Sequence, residues 1–260
     1  MSLPAGRFAA LIFDVDGTLA ETEETHRRAF NETFAYFKLG WDWPPLLYRR
    51  LLRVTGGKER IAAFARAPEN LGRRHLSADE IAELHRFKTA RFGQLVSGGG
   101  CPLRPGVASV VERARQRGLR LAIATTTARP NVEALLRAAW GSEADALFDV
   151  IVAGDEVPRK KPAPDVYLKV LALLGLEGGD CLAIEDSRAG LLAAGAAGVA
   201  VLITRSFYFG DDDFEGAAAV VENLAEAMDI GAMDQENGKI MSSMRSGILN
   251  IFEINPSPET

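Results

Sequence analysis

The sequence is poor in cysteine. Of its 260 residues, only Cys101 and Cys181 are cysteines. Neither belongs to a C-x-x-C redox pair, and neither has the neighbours of a zinc site. Cys181 lies in the apolar run CLAIED, which is typical of an inert thiol in a protein core. We therefore expect neither cysteine redox chemistry nor a structural zinc ion.

The sequence also lacks long apolar runs and an excess of basic residues. No window is long and uncharged enough to span a bilayer. The apolar N-terminal stretch runs directly into acidic residues, which is not the pattern of a signal peptide. The formal net charge is -5, whereas nucleic acids and membrane surfaces bind basic patches. We expect a cytoplasmic protein with neither kind of partner, and we also expect a monomer.

What the sequence does have is a series of short apolar runs separated by helical patterns. Buried parallel strands are indicated at 8–14, 119–126, 149–155, 181–186 and 199–204. Helices are indicated at 106–117, 130–140, 163–174 and 188–197. Strands that alternate with helices predict an α/β fold with a doubly wound parallel sheet. Ligands of such sheets bind at the carboxyl ends of the strands.

Residues 20–100, between the first two predicted strands, interrupt this alternation. Their patterns are helical over 22–37, 44–67 and 77–96, and Ser77 and Glu80 have the spacing of a capping box. The glycine-rich stretch 97–102 suits a hinge. We predict a core domain of residues 1–19 and 101–229 and an inserted all-helical cap domain of residues 20–100. Residues 230–260 do not continue the α/β pattern, and we assign them no chemistry.

The first strand delivers two carboxylates to one place, in the stretch DVDGT. Asp14 and Asp16 are two residues apart, and carboxylates this close repel each other unless a metal, a proton or a reaction compensates. An aspartate-stabilised turn is one explanation. A calcium loop is excluded, because its sixth position would be Leu19 and its twelfth Thr25. Besides the turn, a catalytic explanation stays open, with Asp14 as nucleophile and Asp16 as general acid and base beside a divalent cation.

A second pair of acids, Glu185 and Asp186, ends the fourth predicted strand. Alone, such a pair is typical of solvated loop acids. Carboxylates from two strand ends, however, form the oxygen-rich kind of site that Mg²⁺ accepts, completed by water and substrate phosphate. The two pairs together therefore favour a metal site.

Two further segments carry groups suited to phosphate. In KKPAPD, prolines stiffen the backbone around Lys161, and a lysine facing carboxylates and phosphate would balance their charge. A solvated surface lysine is the alternative, which we expect for Lys160. In ATTTA, Thr125 and the following turn are placed to bind phosphate oxygens, although threonine is also a common strand residue. We predict catalytic roles for Lys161 and Thr125 and substrate binding by Thr126.

In this order, the motifs DVDGT, a strand-ending threonine, K-P-x-P-D and E-D-S resemble those of the haloacid dehalogenase-like phosphohydrolases. The resemblance covers residues 8–228, and the insertion is similar to the helical C1 cap of that family. It implies a Rossmann-like core in which Asp14 takes up the phosphoryl group. Asp16 would protonate the leaving alkoxide and then activate water. The resemblance also implies Mg²⁺ bound by the Asp14 carboxylate, the Asp16 backbone carbonyl and Asp186, with Glu185 nearby or as a further ligand.

Within that family, DVDGTLAETEETHRRAFN and VTGGKERI resemble the CbbY branch. Its members are xylulose-1,5-bisphosphate phosphatases, which remove a by-product that inhibits Rubisco of the Calvin cycle. The resemblance implies that Glu21 and His26 lie at the substrate edge of the cap, and that Lys58 with Arg60 binds the distal end of the sugar phosphate. The GGK stretch also suits an anion nest of backbone N–H groups. The predicted substrate-binding residues of the cap are Glu21, His26, Tyr48, Gly57, Lys58 and Arg74.

Two other functions stay open at this level. A sugar phosphomutase resembling β-phosphoglucomutase would share the chemistry as far as the aspartyl-phosphate, which a second sugar hydroxyl instead of water would then attack. A non-catalytic binding module with this fold would have an eroded site, whereas every motif residue is present. We therefore predict a Mg²⁺-dependent phosphatase of a small sugar phosphate, with xylulose 1,5-bisphosphate as the substrate that the resemblance implies.

Overall fold

The computed structural model describes residues 8–70 and 76–227. Within these ranges the strands are β1 (Ala10–Phe13), β2 (Arg120–Ala124), β3 (Val150–Val152), β4 (Cys181–Glu185), β5 (Ala200–Thr204) and β6 (Ala219–Val221). They form one six-stranded parallel sheet in the order β3-β2-β1-β4-β5-β6. The predicted parallel α/β sheet is confirmed. The apolar runs do not predict β6, because a three-residue strand at the edge of a sheet leaves little pattern.

The α-helices of the described ranges are α1 (Glu23–Tyr36), α2 (Pro45–Leu51), α3 (Gly57–Arg66), α4 (Ala78–Ser97), α5 (Val107–Gln116), α6 (Arg129–Trp140), α7 (Ala144–Leu147), α8 (Asp165–Leu174) and α9 (Arg188–Ala196). Helices α5, α6 and α7 pack on one face of the sheet, and α8 and α9 pack on the other. Along β1, Leu11 and Phe13 contribute to the first core, and Ala10 and Ile12 contribute to the second. Because both faces are buried, the strands are continuous apolar runs in the sequence.

Helices α1–α4 lie between β1 and β2 in the chain and surround a hydrophobic cluster of their own. The capping box that begins α4 is confirmed, since Ser77 Oγ accepts from the Glu80 N–H at 3.2 Å and the Glu80 carboxylate accepts from the Ser77 N–H at 2.8 Å. The helix predicted at 44–67 is interrupted instead. Residues 52–56 separate α2 from α3, and Gly56 at the break has a φ of +96°, which glycine adopts readily.

Strand β1 lies where the chain order reverses. From β1 the chain proceeds to β2 and β3 on one side, and then to β4, β5 and β6 on the other. The Asp14 N–H donates to the Ile184 carbonyl at 3.0 Å, which joins the end of β1 to the end of β4. A crevice at such a point is the usual ligand site of an open parallel sheet. Asp14 therefore meets Glu185 and Asp186 there.

Two further predictions concern the cysteines and membrane-spanning segments. Cys101 and Cys181 are both buried and carry free thiols. None of the helices in the described part of the chain has the length and apolar character that a bilayer span requires. Arg74 and residues 230–260 lie outside the described residues.

Candidate active site

Asp14 lies at the carboxyl end of the central strand, where a buried lysine holds it. The Nζ of Lys161 donates to Asp14 Oδ1 at 2.6 Å and to Glu185 Oε1 at 2.6 Å. The same nitrogen donates to the carbonyl oxygen of Ala124 at 2.8 Å. One ammonium group therefore joins the ends of β1, β2 and β4.

The charge of Lys161 is fixed by its partners. Burial alone would lower the pKa of Lys161, but the carboxylates of Asp14 and Glu185 outweigh this effect and raise it. Tyr167 also donates to Glu185 Oε1, at 2.6 Å, so Glu185 is held from two sides and has no exposed surface. The neighbouring lysine differs from its prediction as a solvated group. The Lys160 side chain is only 15% exposed and forms an ion pair of 3.0 Å with Glu59.

Asp14, Glu185 and Asp186 form an acidic cluster, in which ligand oxygens from all three lie within 4.8 Å of one another. Burial raises the pKa of Asp14 to about 8, although Lys161 opposes the shift. Burial and the two neighbouring carboxylates raise the pKa of Asp186 well above its usual range. Asp186 Oδ2 is buried and has no hydrogen-bond partner. An acceptor oxygen without a donor, in a cluster of carboxylates, fits a hard divalent cation such as Mg²⁺.

Gly17 makes room for this cluster. Its φ is +80°, which favours glycine over residues with a side chain. A Cβ at this position would lie 2.0 Å from Asp186 Oδ2. Any side chain here would therefore displace Asp186, and the glycine of DVDGT is required both for its backbone conformation and for this close approach.

Asp16 faces the helical insertion instead of the acidic cluster. Its Oδ1 accepts a hydrogen bond from Thr22 Oγ1 and lies 3.0 Å from His26 Nε2. The other ring nitrogen of His26, Nδ1, lies 2.5 Å from Lys88 Nζ. An ammonium group can only donate, so while Lys88 is protonated His26 Nδ1 accepts from it and Nε2–H donates to Asp16. This chain of contacts links α4 through α1 to the DVDGT loop.

The three titratable groups of this hydrogen-bonded series, Asp16, His26 and Lys88, all have shifted pKa values. Burial would raise the pKa of Asp16, but His26 and Thr22 lower it to about 2. Burial lowers the pKa of Lys88 to about 7 against the attraction of Asp16. Burial and the nearby Lys88 lower the pKa of His26. Asp16 is therefore ionised in this arrangement, and Lys88 titrates near neutrality.

The loop after β2 places its threonines at two depths. Thr125 is buried, and its Oγ1 accepts from the Thr127 N–H at 3.2 Å, so its hydroxyl shapes the turn. Thr126 and Thr127 line the cavity in front of the acidic cluster. The turn leads directly into α6, and a helix N-terminus favours anions. Thr126 and Thr127, and not Thr125, are therefore the threonines of this turn that face the cavity.

A cavity of about 1010 Å³ lies between the carboxyl ends of the strands and the helical insertion. On the sheet side it is lined by Asp14, Asp16, Lys161 and Asp186. On the helical side its lining includes the basic residues Arg49, Arg50, Arg53, Arg60 and Lys88. The size suits a small molecule, and the basic lining opposite the carboxylates suits an anionic one.

The structure brings some predicted cap residues to this cavity and not others. His26 and Gly57 line it. Tyr48 lies behind the wall with no exposed surface, and its hydroxyl donates to Glu23 Oε2 at 2.8 Å. Lys58 is not part of the lining, and its Nζ reaches Asp155 at 3.4 Å.

Glu21 does not line the cavity either. Its carboxylate lies 3.3 Å from Arg104 Nε and accepts from the Phe207 N–H at 3.3 Å. Glu23, at the start of α1, lines the cavity in place of Glu21. From the VTGGKERI loop, Arg60 contributes to the lining and Lys58 does not.

Sequence reasoning missed Lys88, although a signal was present. Leu84, Lys88 and Phe92 are spaced four residues apart on α4 and are all buried. A lysine within an apolar stripe of a helix is unusual, because burying an unpaired charge is costly. Here the Lys88 ammonium lies 4.6 Å from the centroid of the Phe30 ring and 5.2 Å from that of Phe92.

The loop after β5 also contributes to the site, although no sequence motif predicts this. Tyr208 packs edge-on against Tyr48 with ring centroids 5.8 Å apart, and its hydroxyl donates to Glu24 at 3.0 Å. Asp211 in the same loop pairs with Arg49 of α2 at 2.9 Å. Tyr208 and Asp211 both line the cavity. The loop therefore connects the core to the helical insertion beside the ligand space.

Comparison with known proteins decides the family. The family model of the haloacid dehalogenase-like hydrolases matches residues 8–198. Protein CbbY of Rhodobacter capsulatus is 56% identical over 218 residues, which are 84% of this chain and 94% of that protein. The chain is a haloacid dehalogenase-like hydrolase of the CbbY branch.

Solved structures of CbbY share the fold of this hydrolase. CbbY from Rhodobacter sphaeroides in complex with phosphate is similar with a TM-score of 0.80 and 48% identity, over 84% of this chain and 96% of that one. A point mutant of CbbY from the same organism, in complex with xylulose-(1,5)bisphosphate, also has a TM-score of 0.80 and 48% identity, over 85% and 96%. The hydrolase therefore has the Rossmann-like fold that its motifs implied.

Proposed function

We propose that this hydrolase is a Mg²⁺-dependent phosphatase that removes a phosphate from xylulose 1,5-bisphosphate through an aspartyl-phosphate on Asp14. The observation that carries the proposal is the contact of Asp14 with Lys161 beside the unpartnered oxygen of Asp186, in a cavity that basic residues of the helical insertion also line. The related CbbY structure with that bisphosphate bound supports the choice of substrate. A small sugar phosphate would be the only partner, for a monomeric cytoplasmic enzyme that assists the Calvin cycle.

In the first step, a bond forms between the Asp14 carboxylate and phosphorus, and the bond between phosphorus and the sugar oxygen breaks. Lys161 Nζ, 2.6 Å from the nucleophile, would offset the negative charge of the phosphoryl oxygens. Thr126 and the N–H groups at the start of α6 would bind those oxygens. Thr125 would hold the turn that presents them, through its bond to Thr127.

Asp14 and Asp186 would hold Mg²⁺ together with the Asp16 backbone carbonyl. Glu185 would lie behind them as the partner of Lys161 and Tyr167. When bound, the cation supplies positive charge that favours ionised Asp14 and screens the phosphoryl oxygens.

Asp16 would move the protons. Its acid form gives a proton to the leaving sugar oxygen, and its carboxylate then takes a proton from the water that attacks phosphorus, which releases phosphate and restores Asp14. Contacts to His26 and Thr22 hold Asp16 in the carboxylate form that the second step needs. A phosphate dianion beside it would raise the pKa of Asp16 and so favour the acid form for the first step.

The helical insertion, residues 20–100, would act as a cap over residues 8–19 and 101–227. A bisphosphate needs positive charge at both ends, and Arg60 with the N-terminus of α3 at Gly57 lines the cavity from the helical insertion, whereas the catalytic carboxylates line it from the core. Lys58 would join them when it exchanges Asp155 for the distal phosphate. Tyr48 and His26 would act through their hydrogen bonds to Glu23 and Asp16.

Substrate assays test this proposal. The enzyme with Mg²⁺ should release phosphate from xylulose 1,5-bisphosphate, and EDTA should stop the release until Mg²⁺ is restored. Asp14→Asn should abolish turnover and keep the fold, whereas the matched control Asp145→Asn, at a side chain that is 81% exposed on α7, should remain active. Conversion of β-glucose 1-phosphate to an isomeric hexose phosphate without phosphate release would identify a phosphomutase instead. Full activity of Asp14→Asn would show that the nucleophile is another residue.

A further inference from the structure

Arg104 is a buried arginine with no part in the chemistry described above. It lies between α4 and α5, on the segment by which the helical insertion returns to the sheet, and it is 9% exposed. All three nitrogens of its guanidinium face oxygen atoms. The partners are the carbonyl oxygens of Gly17, Thr204, Arg205 and Glu222, the Thr204 hydroxyl and the Glu21 carboxylate.

Two of these partners belong to segments that flank Asp186. Gly17 lies against the carboxylate, since a Cβ on Gly17 would be 2.0 Å from Asp186 Oδ2 and 3.1 Å from Ser206 Cβ. The carbonyl of Arg205 belongs to the peptide bond that leads into Ser206, whose Cβ lies beside the same position as the Asp186 carboxylate. Arg104 therefore joins, through one planar group, the two segments between which Asp186 is held.

The backbone of the return segment is tied to the same place. The Arg104 N–H donates to the Leu19 carbonyl at 2.8 Å, and Leu103 forms a bridge to Ala20. The guanidinium and the backbone of Arg104 thus both hold the stretch that begins with Asp14. Such a site needs an arginine, because a planar fork of donors serves several carbonyls at once, whereas a lysine offers one point charge.

We propose that Arg104 is a positioning residue for the metal-binding carboxylates. By holding the Gly17 and Arg205 carbonyls, it keeps the DVDGT loop and Ser206 at the separation in which Asp186 faces Asp14. The inference rests on the proposed function, because it assumes that these carboxylates bind Mg²⁺. A merely structural arginine would support the fold without changing affinity for the ion, so the two roles give different results.

The experiment compares Arg104→Met and Arg104→Lys with the wild-type chain. Mg²⁺ alone is titrated into each protein in a calorimeter, and thermal unfolding is recorded with and without Mg²⁺. Leu174→Ala is the matched control, since Leu174 is a buried core residue at the C-terminal end of α8, away from the carboxyl ends of the strands. That variant should unfold at a lower temperature and bind Mg²⁺ as the wild type does.

We expect the dissociation constant for Mg²⁺ to rise by about tenfold or more in both Arg104 variants, as for other residues that orient metal ligands. At low Mg²⁺, the kcat/KM of both variants should fall relative to the wild type. At saturating Mg²⁺, their KM for the sugar phosphate should change less, because Arg104 does not line the cavity. Wild-type Mg²⁺ affinity in either variant would overturn the inference, as would failure of both variants to fold, which would make Arg104 a residue of the fold alone. A wild-type chain that binds no Mg²⁺ would refute the proposed function instead.

Discussion

Replacing Lys161 by methionine measures how much the buried ammonium group contributes to stability and activity. The side chain is 4% exposed and lies 2.6 Å from both Asp14 and Glu185. Methionine keeps most of the apolar stem and removes the charge. The acidic cluster of Asp14, Glu185 and Asp186 would then lose its ammonium partner while staying buried.

The expected loss of stability follows from the geometry. Removing one member of a buried ion pair typically costs about 3–5 kcal/mol, because the other charge stays buried without a partner. Two carboxylates lose a partner here, but one of them, Asp14, has a pKa of about 8 even with Lys161 present and readily takes up a proton. We therefore expect the free energy of unfolding of the metal-free variant to fall by about 3–5 kcal/mol at slightly alkaline pH.

The loss should depend on pH in a definite direction. Asp14 has a higher pKa in the folded than in the unfolded chain, where it is close to 3.8, so protonated Asp14 favours the folded state. That contribution is complete below the unfolded pKa and disappears as the pH rises through about 8. Lys161→Met raises the folded pKa further, so the difference from the wild type should shrink as the pH is lowered.

Urea unfolding with and without Mg²⁺, at acidic and slightly alkaline pH, measures these differences, and phosphate release measures activity. The turnover number should fall by about 10²–10³-fold or more, since a preorganised charge at the phosphoryl group is lost. Lys160→Met is the matched control. Lys160 forms ion pairs with carboxylates that are partly exposed, and such pairs contribute at most about 1 kcal/mol to the free energy of unfolding. A loss below about 1 kcal/mol for Lys161→Met, or a loss independent of pH, would refute the reasoning.

Two further predictions concern the same network. The rise in Tm on adding Mg²⁺ should be larger at slightly alkaline than at acidic pH, because protons and the cation compete for Asp14 and Asp186, whose pKa values are raised; calorimetric scans at both values measure it, and an equal rise would contradict it. Lys88→Met should raise the pKa of His26, because the nearby Lys88 ammonium lowers it; an NMR titration of the imidazole measures the shift, and an unchanged or lower value would contradict it.

The core half of the site was largely predictable because its groups follow strands. A buried strand of a parallel sheet is a visible apolar run, and its carboxyl end is the place where side chains can meet a ligand. Their positions and the family resemblance therefore predicted one site for Asp14, Lys161 and Asp186, and the structure brings them together. The sequence did not show which of these groups reach the cavity. Glu185 and Thr125 are buried and do not line it, whereas Lys161 and Thr126 do.

The cap half was predictable only in part, because residues two positions apart on a helix or at its start can face nearly opposite sides. Glu23 lines the cavity where Glu21 was expected, and Arg60 lines it where Lys58 was preferred. Which face of a helix meets the cavity is set by how the insertion packs on the core, through long-range contacts such as Tyr48 with Tyr208. No local pattern in the sequence records such a contact.

The sequence by itself determined the parallel α/β sheet and the order of its motifs, since strand burial and turn chemistry are local and leave periodic or abrupt signals. It also determined that the two pairs of acids would end strands and that a lysine would follow one, all at the carboxyl side of the sheet. Only the tertiary structure decided which charges share a partner: Lys161 between Asp14 and Glu185, Lys88 against His26, and Arg104 under the DVDGT loop. The physical reason is that a buried charge is tolerated only where distant segments bring it an opposite charge or acceptor.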